Sequence, residues 1–218
     1  MSVAKKIVLS VGFLVVMFAA YGFYANHSSS TLNENTVSVF KWAHVINVGS
    51  QVQALSADGR EYELMRIMAP NEAERSRAEG LISQLTPKLN KAYEEYEQAI
   101  QEAPFPNESD RSQKLARISK LKDERKEYAD VRQRATDLMD AGDHDAAITL
   151  ALNDQSDVYK RMTELLEEDK ADSVRLARAE MAYSEDVFSE VKTTTLIALV
   201  IVVILSVITL VLLLRSIK

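Results

Sequence analysis

The sequence contains no cysteine. Disulfides and thiolate metal sites are therefore excluded, and the chain suits a periplasm as well as a cytosol. Glycine and proline are scarce, six and four in 218 residues, so regular structure has few obligatory stops. Histidine is scarcer still: His27, His44 and His144 stand far apart and in no metal-ligand spacing, so no metal is expected. The glycine-rich phosphate loop, the GxSxG elbow and the HExxH helix are missing, and no carboxylate pair stands out from the acidic background. No enzyme and no cofactor are expected on these grounds. Positive charge is also short. The net charge is −6, and four of the 26 basic residues lie outside residues 26–193, which hold 22 basic and all 32 acidic groups, a net −10. Such a surface repels nucleic acid.

Against these absences stand two long apolar runs. Residues 196–214 read LIALVIVVILSVITLVLLL, without charge, proline or glycine, and sixteen of the nineteen are Leu, Ile or Val. A helix of that length spans about 28 Å, close to the hydrocarbon thickness of a bilayer. The composition favours insertion by about 5–10 kcal/mol. The second run, residues 7–25, contains Gly12 and Gly22 and ends in Tyr21, Phe23 and Tyr24, a belt suited to a membrane interface. A cleaved signal peptide is the competing reading, with Ala20 and Gly22 as the small residues of a cleavage site. The run is long for a signal core, and the helical pattern continues past it, which favours an uncleaved anchor. Lys5 and Lys6 precede the first run, and Arg215 and Lys218 follow the second. The positive-inside tendency then puts residues 1–6 and 215–218 in the cytoplasm and 26–193 outside, between membrane helices at 7–25 and 194–214.

The middle region reads as four helices. Asn26 to Ser30 is polar and expected to fray. From Leu32 to Met68, Leu32, Val39, Ile46, Val52, Leu55, Leu64 and Ile67 recur at helical spacing, with Phe40 and Trp42 as bulky members, until Ala69-Pro70-Asn71 breaks the run. Asn71 and Glu74 suit a capping box for the next helix, Glu72–Glu102. Its stripe of Ala78, Ile82, Leu85, Leu89, Ala92, Tyr96 and Ala99 steps by four and three and keeps phase across Pro87, so a kink is expected there and not an end. APFPN, residues 103–107, is a turn. Ser109 or Asp110 is expected to cap a third helix to Asp140, with Leu115, Ile118, Leu121, Tyr128, Val131, Ala135 and Leu138 inward and the charged run Lys120–Lys126 solvated. Gly142 suits a left-handed C′ position and Asp143 the next N-cap. The last helix is expected to run unbroken from Asp143 through Leu214.

The fold class is therefore all-α: an antiparallel up-down-up-down four-helix bundle flanked by two transmembrane helices. The first and last helices, about 66 and 74 Å, exceed the second, about 46 Å. Near the membrane, Val37, Val39, Phe40, Phe188 and Val191 then lack cover, and a second copy of the chain is the simplest cover. The tyrosines Tyr93, Tyr96, Tyr128, Tyr159 and Tyr183 sit on or near the stripes, as core residues or as pocket lining. Arg60 and Arg66, near the distal turn, are either carboxylate clamps or partners of Glu61 or Glu63.

The stretches LMRIMAPNEAERSRAEGLISQL (64–85), LMDAGDHDAAITLAL (138–152) and LLLRSIK (212–218), in this order and spacing, resemble the sensory half of bacterial methyl-accepting chemotaxis proteins. The resemblance covers the whole chain. It implies a two-pass receptor of the inner membrane with a periplasmic sensor domain and cytoplasmic termini, working as a homodimer. Such a module senses a small molecule, here a carboxylate, or reads a periplasmic binding protein, and transmits a helix displacement. Arg66 is similar in position to a ligand-holding arginine of that family. The family's other arginines are not matched, Tyr62 and Ala57 or Arg60 standing in the preceding turns instead, and Thr149 lies near the fourth-helix contacts. Arg66, Arg60, Tyr62 and Thr149 are the expected ligand-binding residues. LLLRSIK is similar to the lead-in of a HAMP linker, implying an output domain beyond it on the same or another chain. A histidine kinase or cyclase output, and a non-sensory membrane-anchored scaffold, are the competing functions.

Overall fold

The computed structural model describes residues 3–217. Met1, Ser2 and Lys218, expected at the cytoplasmic ends, lie outside the described residues. Among the described residues the structure is all-α, with helices α1 (Val3–Ile67), α2 (Glu72–Gln101), α3 (Glu108–Asp140), α4 (His144–Leu152) and α5 (Asp154–Ile217). Two compact units result, one from the two ends of the chain and one from Phe40–Ala177.

In the first unit the opening part of α1 runs antiparallel to the closing part of α5. The register is set by hydrogen bonds between Tyr21 and Thr195 at 2.7 Å and from Tyr24 to Glu190 at 3.3 Å. Asn26–Ser30, expected to fray, is regular helix inside α1. The Thr31 hydroxyl reaches back to the His27 carbonyl, one turn earlier, without opening the backbone. The apolar window at the end of the chain has a mean hydropathy of 3.0 and none of it is buried. Phe13, Val16, Phe18 and Phe23 of the first run are exposed as well.

The second unit is the four-helix bundle, whose fourth leg is α4 followed by α5. Lys41 of α1 meets the Glu102 carbonyl, Ser56 meets Tyr93, and Gly59 lies against Leu85, so α1 and α2 are antiparallel. Arg125 to Asn90 and Lys122 to Glu97 set α3 against α2 in the same sense. The caps explain the boundaries. Asn71 and Asn107 each accept the backbone N–H three residues on, at 3.0 and 2.8 Å, as does Asp143 at 3.2 Å. Asn107 thus takes the role expected of Ser109 or Asp110, because Asp110 donates its own N–H to it. Gly142 has φ +81°, which a side chain would strain. Pro87 lies inside α2, which continues through it.

Two further expectations are corrected. The fourth leg is not one rod from Asp143: it breaks at Asn153, whose φ/ψ of −103°/−84° is not helical. On α3, Ile118, Leu121, Val131 and Ala135 are buried as expected, but Lys114 takes the first inward place, fully buried, and Leu115 is 40 % exposed. On α1, Trp42 is fully buried and stacks edge-on against Phe105 at 5.2 Å, whereas Phe40 points out.

The close approach of α1 and α2 at Gly49 gives a direct test. A Cβ there would stand 2.9 Å from a ring carbon of Tyr96. Tyr96 is buried and its hydroxyl donates to Asp169, so the ring has no room to step aside. The helix-propensity gain of about 1 kcal/mol from Gly to Ala is opposed by an overpacking cost of about 1–3 kcal/mol. Gly49→Ala is expected to lower the melting temperature, whereas Gly80→Ala, with nothing within 4 Å of the new methyl, is expected to raise it.

Candidate functional site

The distal end of α1 carries two arginines six residues apart, which a helix turns to different sides. Arg60 is buried and faces the fourth leg. Its Nη1 donates to Gln155 Oε1 at 2.8 Å and its Nη2 to the Ala151 carbonyl at 2.6 Å. That carbonyl lies two residues before the break at Asn153, so the guanidinium supplies a donor that the interrupted helix does not. Arg66 faces α3. Its Nε and Nη2 donate to Glu63 Oε2 at 3.3 and 3.1 Å, and Nη2 also to Thr136 Oγ1 at 2.7 Å. Arg132 approaches the other Glu63 oxygen at 3.5 Å. Tyr62 is half-buried. Thr149 is exposed, its hydroxyl turned onto the Asp145 carbonyl at 2.8 Å. The four residues share no hydrogen bond with one another. A carboxylate arriving at Arg66 meets a guanidinium already held by Glu63.

Below this end the bundle carries a half-open cavity of about 510 Å³. Its existence follows from how the core divides. One apolar cluster gathers around Trp42, Val45, Ile100, Leu121 and Leu165, and a second around Ile67, Ala135, Met139 and Ala147. Helix α2 contributes Ala92, Tyr96, Ala99 and Ile100 to the first and nothing to the second. Its apolar face at Ile82, Leu85 and Leu89 borders the cavity instead. The facing wall from α3 is basic, with Lys122, Arg125, Lys126 and Arg132. Gly59 and Glu63 of α1 and Tyr159 and Met162 of α5 complete it. Tyr93, Tyr128 and Tyr159, read from the sequence as core or pocket residues, all line it. Burial first, moderated by Arg60, pushes the Tyr128 phenol up to about 12. Its hydroxyl is buried without a hydrogen-bond partner.

Nearer the Pro104–Pro106 turn lies a buried ionic cluster. Lys114 Nζ is 3.1 Å from Asp169 Oδ2, donates to the Asp169 carbonyl at 2.7 Å and to the Ser173 hydroxyl, and sits 5.6 Å from the Trp42 ring centre. Tyr96 donates to the same carboxylate. At the rim, Arg117 reaches Asp172 at 2.9 Å and Arg175 reaches it at 2.7 Å. Burial alone would raise the Asp172 carboxyl, but hydrogen bonds from Arg175 and Arg117 hold it below its ordinary range. Burial pushes the Lys114 ammonium down, against the pull of Asp169. Burial, then the Asp169 charge, keeps the Tyr96 phenol protonated far above its usual range.

These directions fix an alkaline response. Above pH 10 an unfolded tyrosine ionises while folded Tyr96 keeps its proton, so the folded state binds more protons and stability falls as pH rises. Lys114 acts oppositely below 10.5, where the unfolded lysine keeps a proton that the folded one yields more readily. The melting temperature is expected to drop between pH 10 and 11. Tyr96→Phe should flatten that drop by up to about 1.4 kcal/mol per pH unit.

The sequence pattern held a signal for the ionic cluster. Lys114 leads Ile118 and Leu121 by steps of four and three, and Asp169 and Ser173 continue Met162, Leu165 and Leu166 toward Leu176 in the same phase. Charged residues in phase with an apolar stripe mark buried pairs. Lys120, Lys122 and Lys126 are exposed, as expected of a solvated run, and the cavity's basic wall was the further signal there, Lys122, Arg125, Ala129 and Arg132 recurring on one face of α3.

The described residues thus form a helical bundle with a half-open cavity and a helix long and apolar enough to cross a membrane at the chain's end. Residues 1–188 match the family of the four-helix-bundle sensory module for signal transduction, and the chain belongs to that family. No curated protein and no solved structure matches the chain.

Proposed function

We propose that the chain is the input module of a two-pass transmembrane chemoreceptor that senses a small molecule in the periplasm and passes a helix displacement across the inner membrane. The observation that carries this reading is α5: one 64-residue helix begins with the inward face Val158, Met162 and Leu165 and ends in the uncharged apolar run. A continuous helix is a stiff route for shifts of about 1–2 Å, a known type of switching motion. The module works as a homodimer: Val37, Met181, Tyr183 and Phe188 are exposed apolar side chains outside both apolar runs, and a second copy gives them cover. Lys5 and Arg215 keep both termini in the cytoplasm. The module is not an enzyme and takes no cofactor, and its output is a methyl-accepting, kinase or cyclase domain. At the distal end Arg66 is the anion contact, Glu63 being the group that a ligand carboxylate replaces, while Arg60 grips the fourth leg on another side of α1 and Tyr62 and Thr149 remain the outer members of the site.

The cysteine-free sequence makes the test simple. Glu79→Cys in intact cells is expected to react with a membrane-impermeant maleimide, and a cysteine appended after Lys218 only after permeabilisation. In membranes, Tyr21→Cys/Thr195→Cys is expected to crosslink at a rate that changes when a binding compound is added. Labelling of the appended cysteine from outside would sink the receptor reading.

A further inference from the structure

We propose that the cavity between α1, α2, α3 and α5 is itself a binding site, and that it takes a small carboxylate with a flat apolar body, one molecule per chain. This rests on the chain being a small-molecule sensor but not on the distal arginines. The volume of about 510 Å³ falls within the range of about 300–1,000 Å³ typical of small-molecule sites. The two long walls differ in chemistry. Ile82, Leu85 and Leu89 on one side and Met162 on the floor offer apolar contact, while the α3 wall offers four cations against a single lining carboxylate, Glu63.

Glu63 does not neutralise that wall, because Arg66 and Arg132 already hold it at 3.1 and 3.5 Å. Lys122 is paired with Glu97 at 2.6 Å. Arg125 differs: its guanidinium is fixed over the Tyr93 ring at 4.3 Å and makes one hydrogen bond, from Nη2 to Asn90. Its remaining N–H groups make no hydrogen bond among the described residues. A planar fork held by stacking on one face, with free donors at its edge, is suited to a carboxylate. The Tyr128 and Tyr159 rings, 6.5 Å apart and tilted by 55°, provide aromatic surface for a flat body. A dianion or a sugar would leave polar groups unpaired against the leucines, and a neutral apolar molecule would leave the Arg125 donors without an acceptor.

The test uses the full chain in lipid nanodiscs and three pairs of probes: benzoate and benzamide, phenylacetate and phenylacetamide, indole-3-acetate and indole-3-acetamide. At least one carboxylate is expected to bind saturably, one per chain, at least tenfold more tightly than its amide. Arg125→Gln should bring that carboxylate down to the affinity of the amide. Ala129→Trp, at an exposed position of the α3 wall, should abolish binding with the melting temperature kept. Lys91→Ala, at an exposed position of α2 outside the lining, should leave affinity within twofold. The proposal is overturned if none of the carboxylates saturates, or if the amides bind equally well. Loss of binding in Arg66→Ala with retention in Ala129→Trp would also overturn it, moving the ligand to the distal end and leaving the sensory reading intact. The maleimide topology test fails or succeeds separately from all of these.

Discussion

Asp169→Ala is expected to destabilise the bundle by about 3–5 kcal/mol, the largest effect of any single substitution proposed, because it strips a buried ammonium of its counter-charge. Lys114 has no exposure and cannot reach water without leaving the core. The backbone carbonyl of Asp169 and the Ser173 hydroxyl would remain as acceptors, and they do not cancel a full charge. Asp169→Asn should cost less, since the amide oxygen still accepts from Tyr96. The double variant Lys114→Met/Asp169→Leu should recover most of the loss, because removing both ions also removes their desolvation cost. Thermal unfolding of the wild type, Lys114→Met, Asp169→Leu and the double variant completes a double-mutant cycle. Additive losses would show that the ammonium and carboxylate are not energetically coupled.

Arg60→Ala is expected to cost about 3 kcal/mol, from two charge-assisted hydrogen bonds whose buried acceptors are then left without a donor. Gln155 is fully buried and its Nε2 already lacks a partner, so losing the bond at Oε1 leaves the whole amide unsatisfied. Arg66→Ala should cost less. Its side chain is 12 % exposed, and Glu63 keeps Arg132. Measuring both variants without ligand separates the structural role of each arginine from any role in binding. A melting curve unchanged by Arg60→Ala would mean that the Asn153 break needs no external donor.

Most of the scaffold could be read from the chain, for identifiable reasons. The α2 stripe declared its heptad because Ala78, Leu85, Ala92, Tyr96 and Ala99 are apolar and all of them are buried. Gly142 and Asp143 declared a helix connection because only glycine tolerates the left-handed turn and a short carboxylate suits the cap. Only the first inward place on α3 was misread, where a lysine stands and its aspartate lies 55 residues away on α5. Periodicity counts apolar residues and passes over a charge neutralised by a distant partner. The break at Asn153 was invisible for a similar reason. LNDQS contains no proline or glycine, and the donor that tolerates the break is Arg60, on another helix. The cavity lay in residues of ordinary type whose emptiness depends on α2 leaving the second apolar cluster. No local pattern records that.

The interruption at Asn153 divides the fourth leg into a short lever and a long shaft. A jointed lever passes on only what its joint resists, and here the resistance is the two-pronged grip of Arg60 on either side of the joint. Thr149 belongs to the lever, whereas Tyr159 and Met162 belong to the shaft. A molecule pressing on Tyr159 and Met162 therefore pushes the shaft itself, but one touching Thr149 must first act through the guanidinium grip. Mechanical gain from the two positions is consequently unequal, and weakening that grip should mute the outer input while sparing the inner one.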